Sequence, residues 1–298
     1  MPYALPVLLL LVALCAVADA PPASEPKAHL DTITVEAARE HEKLERQVNK
    51  FVSGIAVERR DESLANWQPE IPMCPLVAGL PREDGEYMLT RLSQIALSAG
   101  APLAADHCKP NFFVVVTSEP DALLKAWSKR DPRIFENGDD HGYTEIRKFL
   151  EARVPVRAWY NAEIYNSDGT PLRYESSGAF KGLRVTSQAV ATRIRFNTVR
   201  DLASVIVLVD APRARGISFG QLAAYVAMVG LAQIKSDPKV SDTPSILQLF
   251  SDAGRPAPTG LTQWDQAFLK GLYHTEHLDQ RQVSAVKTKM IQDIAPQH

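Results

Sequence analysis

An excess of charge of either sign is missing: 33 Lys and Arg stand against 35 Asp and Glu, a formal net charge of −2. Without a field of one sign, nothing in the chain draws in nucleic acid or an anionic membrane. The seven histidines are scattered, and no basic run is interleaved with aromatics, which disfavours nucleic-acid binding. Also missing are the P-loop, G-x-G-x-x-G and H-E-x-x-H. A phosphate cradle, a dinucleotide turn and a zinc-binding helix therefore have no motif behind them. There is no internal repeat and no low-complexity tract beyond residues 21–28. What remains is ordinary for a soluble globular chain, 45% hydrophobic and 23% charged over 298 residues. That length suits one large domain or two moderate ones.

Cysteine is scarce, with only Cys15, Cys74 and Cys108. The first lies in an apolar run from Leu5 to Val17, followed by Ala18-Asp19-Ala20. This is the hydrophobic region and small-x-small cleavage pattern of a secretory leader, with an n-region that lacks Lys and Arg. The run is short for a bilayer span, and Leu14 before Cys15 does not suit a lipid-attachment signal. We expect residues 1–20 to be a signal peptide, cleaved near Ala20, and residues 21–34 a disordered mature start. The mature chain would be periplasmic or secreted, with no transmembrane span. Cys74 and Cys108 are then an even pair in an oxidising compartment, and we expect a disulfide between them, the alternative being two separate core thiols. In the chain-entropy model such a loop contributes about 3–4 kcal/mol.

Periodicity organises the rest. Residues 35–55 read as an amphipathic helix, with Val35, Leu44, Val48, Phe51, Val52 and Ile55 near one face. That helix packs on the body or docks on an unknown protein or envelope partner. Residues 64–294 read as a single α+β domain, a mixed β-sheet packed by helices. An extended, Pro-punctuated stretch holds Cys74. A helix follows with Met88, Leu92, Ile95 and Ala96 inward and Gly100 as its stop, then a continuous apolar strand from Phe112 to Val116. These make a β-α-β unit, with the two cysteines at comparable places beside its strands. Ser118 is the expected cap of the next helix, with Asp121 three residues on, and residues 131–143 read as a polar loop. Alternation over 154–177, broken at Ser167-Asp168-Gly169, predicts a β-hairpin. A second continuous apolar run spans Val205 to Val209. Two further helices close the chain, the first capped by Thr262 with Asp265 three residues later.

From Gly216 to Ile234 there is no charged residue. Three glycines, Gln221, Gln233, Ser218 and Tyr225 make this a poor membrane span, so we expect a buried core helix over 217–234, capped by Ser218. This helix follows the "LANW" entry, the strand "NFFVVV" and the β section. After it come "TPSILQLFSDAG" and "LTQWDQAFLKGLYHTEHL". That succession resembles a bacterial family of exported proteins of unknown function that are similar to zinc-dependent metallopeptidases of the zincin type. The matching residues are Ser245-Ile246-Leu247 with Phe250, then Leu261-Thr262, Asp265, Leu269, Leu272 and Tyr273. The resemblance implies a zincin-like scaffold whose active helix should carry two imidazoles one turn apart and a glutamate. Here that helix holds no His, Glu, Asp or Cys.

The expectation is therefore an exported, non-catalytic, degenerate peptidase-like scaffold with a binding or envelope-accessory role. No catalytic residue, metal ligand or cofactor is assigned. A candidate polar site draws on Asp139 and His141 from the acidic loop and on Gln221 and Tyr225, spaced i, i+4 on the buried helix. The alternative is a hydrolase acting on peptides or cell-wall material, built from Asp139, His141, Glu145 or Glu163. His274 and His277, with Glu276 between them, share a helix face and read as solvent-exposed rather than metal-binding. Ser176, Ser177 and Ser118 have no His/Asp setting. The expectation turns on the largest pocket near 217–235: an apolar lining favours binding, convergent polar groups favour catalysis.

Overall fold

Alternating valines and aromatics build the centre of the molecule, a four-stranded mixed sheet in a computed structural model. The structure describes residues 27–57, 63–135, 142–166, 170, 172–174, 184–185, 198–240, 242–251, 256–276 and 281–295. The chain falls into two units, Met1–Glu40 and His41–His298. Helix α1, Lys27–Ile55, crosses that boundary and begins eight residues before the predicted start. In the first unit residues 35–40 are exposed. The second unit carries all else described here.

Strand β1, Pro75–Ala78, helix α2, Arg82–Ala99, and strand β2, Phe112–Thr117, form the expected β-α-β unit, with β1 and β2 parallel. Gly100 ends α2 in the left-handed region, at φ 83°, where a side chain would be strained. Helix α3 spans Pro120–Arg130 and helix α4 Gly142–Glu151. Strand β3, Val156–Asn166, is followed by the two-residue strands β4, Arg173–Tyr174, and β5, Arg184–Val185. The long strand β6, Thr198–Asp210, leads to helix α5, Phe219–Leu231. Helices α6, Gln263–Tyr273, and α7, Gln282–Ile294, follow. The sheet order is β1-β2-β6-β3, with β6 parallel to β2 and β3 antiparallel to β6. This is the predicted α+β class, a mixed sheet packed by helices.

Side-chain alternation gives the sheet two buried faces. On one, Phe112, Val114, Val205, Val207, Tyr160 and Ala162 join a large core with α2, α5, α6, α7 and the second half of α1. There Phe51 packs against Trp264 and Phe268, with ring centroids 5.6 and 6.4 Å away. On the other face, Phe113, Val115, Ile206, Leu208 and Trp159 meet α3, α4 and the turn at Pro132–Phe135. Phe135, Phe149 and Trp159 form a ring cluster with centroids 5.5 to 5.9 Å apart.

Several local expectations meet the structure directly. Ser218 caps α5 in a reciprocal pair with Gln221, and Thr262 caps α6 in one with Asp265. Cys74 and Cys108 form a disulfide whose Cα atoms are 6.0 Å apart. No helix among the described residues is long and apolar enough to cross a membrane. Others differ. Ser118 caps nothing: α3 starts at Pro120, whose fixed φ suits a first turn, and the Thr117 hydroxyl takes the Glu119 N–H instead. Helix α4 arises in a stretch with no predicted element, because Ile146, Phe149 and Leu150 recur on one face and meet the second core. Where the hairpin over 154–177 is expected, Asn166 donates from its N–H to the Thr170 carbonyl at 2.8 Å and from its amide to the Thr170 hydroxyl at 2.9 Å, but the ladders form elsewhere. β3 takes β6 as its partner and β4 takes β5, while the turn at Ser167-Asp168-Gly169 lies outside the described residues.

Candidate functional site

Strand β3 is an edge strand, and its open side is where the structure leaves space. The Asp210 N–H donates to the Pro155 carbonyl at 2.9 Å. The register then pairs Arg157 with Leu208 and Trp159 with Ile206, so those residues spend their backbone groups on β6. In an antiparallel ladder their neighbours turn the other way. The N–H and C=O groups of Val156, Ala158 and Tyr160 thus face the edge, with no partner among the described residues.

A cavity of about 340 Å³ runs along this edge. Its floor is β3 from Val156 to Tyr160. One wall is the end of α4 with Phe149 and Ala152; the other is Tyr225 and Val229 of α5 and the segment from Gln233 to Pro238. The volume lies in the range of small ligand sites. The lining is mainly apolar; among the described residues it includes three cations, Lys148, Arg157 and Lys235, and no carboxylate.

Each wall is held by polar groups that are already used. Arg157 is buried, and its guanidinium donates to the Leu150 and Phe149 carbonyls at 3.0 and 3.3 Å and to Asp121 at 3.2 Å. It satisfies the last carbonyls of α4 with a cation, where the helix dipole favours one. On the other side, three aromatic donors close the end of α5. Tyr160 donates to the Val229 carbonyl at 2.8 Å, Trp67 to Gly230 at 2.9 Å and Tyr273 to Leu231 at 2.5 Å. The Tyr160 oxygen also accepts the Ile234 N–H at 3.2 Å, which fixes the wall segment. That segment is tied to the end of α1: Lys235 N–H donates to the Ile55 carbonyl, Lys239 N–H to that of Gly54, and the Lys235 ammonium to that of Ser53. Burial pushes the Tyr225 phenol up to about 12 and raises Tyr160 as well. Both are neutral hydroxyls at physiological pH, unsuited to act as bases.

Of the residues singled out from the sequence, Tyr225 reaches the cavity, its ring edge-on to Phe250 at 5.0 Å. Gln221 does not. It is used at the start of α5, accepting the Ser218 N–H and donating to the Pro258 carbonyl at 2.8 Å. Asp139, His141, Ser176, Ser177 and His277 lie outside the described residues, as does the side chain of Glu145. Glu163 accepts a hydrogen bond from Tyr165 at 3.1 Å and does not line the cavity. His274 and Glu276 are exposed, and the His274 ring contacts the Lys270 carbonyl. Among the described residues no three His, Cys, Asp or Glu side chains converge on a point.

A second polar cluster is structural. The Asp265 carboxylate is fully buried and accepts from the Ser245 hydroxyl, the Ile246 N–H and both the N–H and hydroxyl of Thr262, at 2.5 to 2.8 Å. Burial pushes this carboxyl above its usual range, and the four donors act in the opposite sense. It seals the start of α6 against the turn at Ile246–Gln248 and has no access to a ligand. Sequence reasoning missed Tyr160, Trp159, Lys148 and Lys235, because a Trp-Tyr pair in an alternating strand reads as core. No family model, curated protein or solved structure matches the chain.

Proposed function

We propose that the protein is an exported, non-catalytic binding scaffold of degenerate peptidase-like form that holds an extended peptide segment along β3. The observation that carries this reading is the row of edge-facing amides and carbonyls at Val156, Ala158 and Tyr160, set in an apolar cavity. A peptide laid against that row gains backbone hydrogen bonds, and its alternate side chains enter the apolar space. The peptidase-like part draws support from α5. The two side chains it sends to the cavity, Tyr225 and Val229, are one turn apart. That is the spacing at which a zincin carries two imidazoles, and neither residue grasps a metal. Export draws support from the leader-like stretch Leu5–Val17 and from the Cys74–Cys108 bridge, which an oxidising compartment permits.

The test is binding of a fluorescent heptapeptide of alternating valine and polar residues to the purified mature chain. We expect micromolar binding that disappears when alternate peptide amides are N-methylated, which removes backbone donors and leaves the side chains. Equal binding of both forms would refute strand addition. The peptide should be recovered intact by mass spectrometry; cleavage, or stoichiometric zinc lost on mutating His274 and His277, would overturn the non-catalytic part.

A further inference from the structure

Among the described lining residues the charges are of one sign. The described lining holds Lys148, Arg157 and Lys235 and no Asp or Glu, on a chain whose formal net charge is −2. Arg157 is not available to a ligand, since Asp121 and two helix carbonyls take its donors. Lys235 differs. Its main chain is fixed to the Ile55 carbonyl at 2.8 Å, and its ammonium is steadied by the Ser53 carbonyl at 2.5 Å. That partner is neutral, and an ammonium has three donors. Lys235 is exposed on the wall that faces the β3 edge. A cation held in place without a carboxylate, beside an apolar space with unpaired backbone donors, is complementary to an anion carried by an otherwise apolar chain.

We propose that the cavity selects an extended segment bearing a carboxylate, and that Lys235 is the residue that selects it. This rests on the strand-addition reading and adds a substrate class to it: an apolar peptide with one acidic group, supplied by a Glu side chain or by a free C-terminus. A bare structural role for Lys235, as a cation at the end of α1, predicts no preference among peptides.

Four labelled heptapeptides separate these cases: Glu or its isostere Gln at one position, each with a free or an amidated C-terminus. Wild-type protein should bind one carboxylate form about 10-fold more tightly than its neutral counterpart, a difference of about 1.4 kcal/mol. The Glu/Gln pair and the acid/amide pair identify the source of the carboxylate. Lys235→Met keeps the aliphatic stem and should reduce the ratio to near one, with the neutral peptide bound as before. Raised salt should erode the ratio in wild type alone. Equal binding of charged and neutral peptides to wild type overturns the inference and leaves the strand-addition reading standing. A ratio unchanged in Lys235→Met, or lost only in Lys148→Met, overturns the assignment to Lys235. Binding of none of the four overturns both the reading and the inference. Thermal melts of each variant check the fold; should Lys235→Met melt early, Lys235→Gln supplies the same comparison.

Discussion

The ring of Phe112 on β2 stands where a Cβ on Gly230 of α5 would be: its Cζ lies 2.2 Å from that position. The absent side chain lets the central strand press directly on the helix that bounds the cavity. Trp67 completes the contact, donating to the Gly230 carbonyl at 2.9 Å, with its ring centroid 6.4 Å from that of Phe112.

A methyl group at this position therefore meets a fully buried ring rather than space. Alanine is the better helix former by about 0.5–1 kcal/mol, but overpacking a close-packed core costs about 1–3 kcal/mol. Gly230→Ala should be destabilised by about 1–2 kcal/mol in urea unfolding. A stabilised variant would mean that β2 and α5 can separate freely. Since Gly230 follows Val229, which lines the cavity, peptide binding should weaken in parallel.

Asp265 gives a sharper test of the interior. Its oxygens satisfy two backbone N–H groups and two hydroxyls where α6 meets the Ser245 turn. In Asp265→Asn an amide NH2 faces these donors; the Thr262 hydroxyl can turn to the Pro244 carbonyl at 2.8 Å, but the Ile246 and Thr262 N–H groups depend on this side chain. Leaving buried donors unmet costs about 1–3 kcal/mol each, so a loss of about 3 kcal/mol is expected by chemical denaturation. Ser245→Ala removes one donor to Asp265 and the acceptor of the Leu247 N–H, and leaves the other three donors served, so it should lose about 1–2 kcal/mol. An Asn variant no less stable than the Ser variant would show that the cluster is not a unit.

The bridge between Cys74 and Cys108 closes a loop of sequence separation 34, just ahead of β1 and β2. Asn111 already ties the two strand starts, accepting the Cys74 N–H at 2.7 Å and donating to the Pro72 carbonyl at 3.1 Å. The double variant Cys74→Ala with Cys108→Ala should therefore fold but lose about 3 kcal/mol, mostly through a less constrained unfolded chain. Thiol labelling of denatured wild-type protein should report neither residue as free. An unchanged denaturation midpoint in the double variant contradicts this account.

Local chemistry was legible in the sequence, and long-range arrangement was not. The apolar runs Phe112–Val116 and Val205–Val209 are central strands because both faces of the sheet are covered. Thr262 with Asp265 and Ser218 with Gln221 are caps because three-residue spacing alone sets that geometry. The cavity depends on β3 being an edge, and that depends on its pairing with β6, more than thirty residues along the chain. No periodicity carries strand order. Gln221 and Tyr225 share a helix face, yet one is spent at the cap and on the Pro258 carbonyl, while the other, one turn on, reaches the cavity. Lys235 read as the end of an apolar run; only the fold places it in the wall of the cavity along β3.

The aromatic donors at the end of α5 make stability depend on alkaline pH. Burial pushes up the phenols of Tyr160, Tyr225 and Tyr273, with Tyr225 reaching about 12. In the unfolded chain each ionises near pH 10. A group whose folded value is raised contributes stability that is complete below its unfolded value and is lost as pH climbs toward the folded one. The loss should therefore begin near pH 10 and deepen toward pH 12, by about 1.4 kcal/mol per pH unit for each phenol that stays protonated in the fold. Tyr160→Phe removes one such proton and two hydrogen bonds, to Val229 and from Ile234. It should be weaker at neutral pH by about 1–2 kcal/mol and show a shallower alkaline decline than wild type. Urea titrations from neutral to alkaline pH, read beside tyrosinate absorbance, give both quantities. If the two proteins decline in parallel, Tyr160 ionises in the native state, and the end of α5 is wetter than its hydrogen bonds imply.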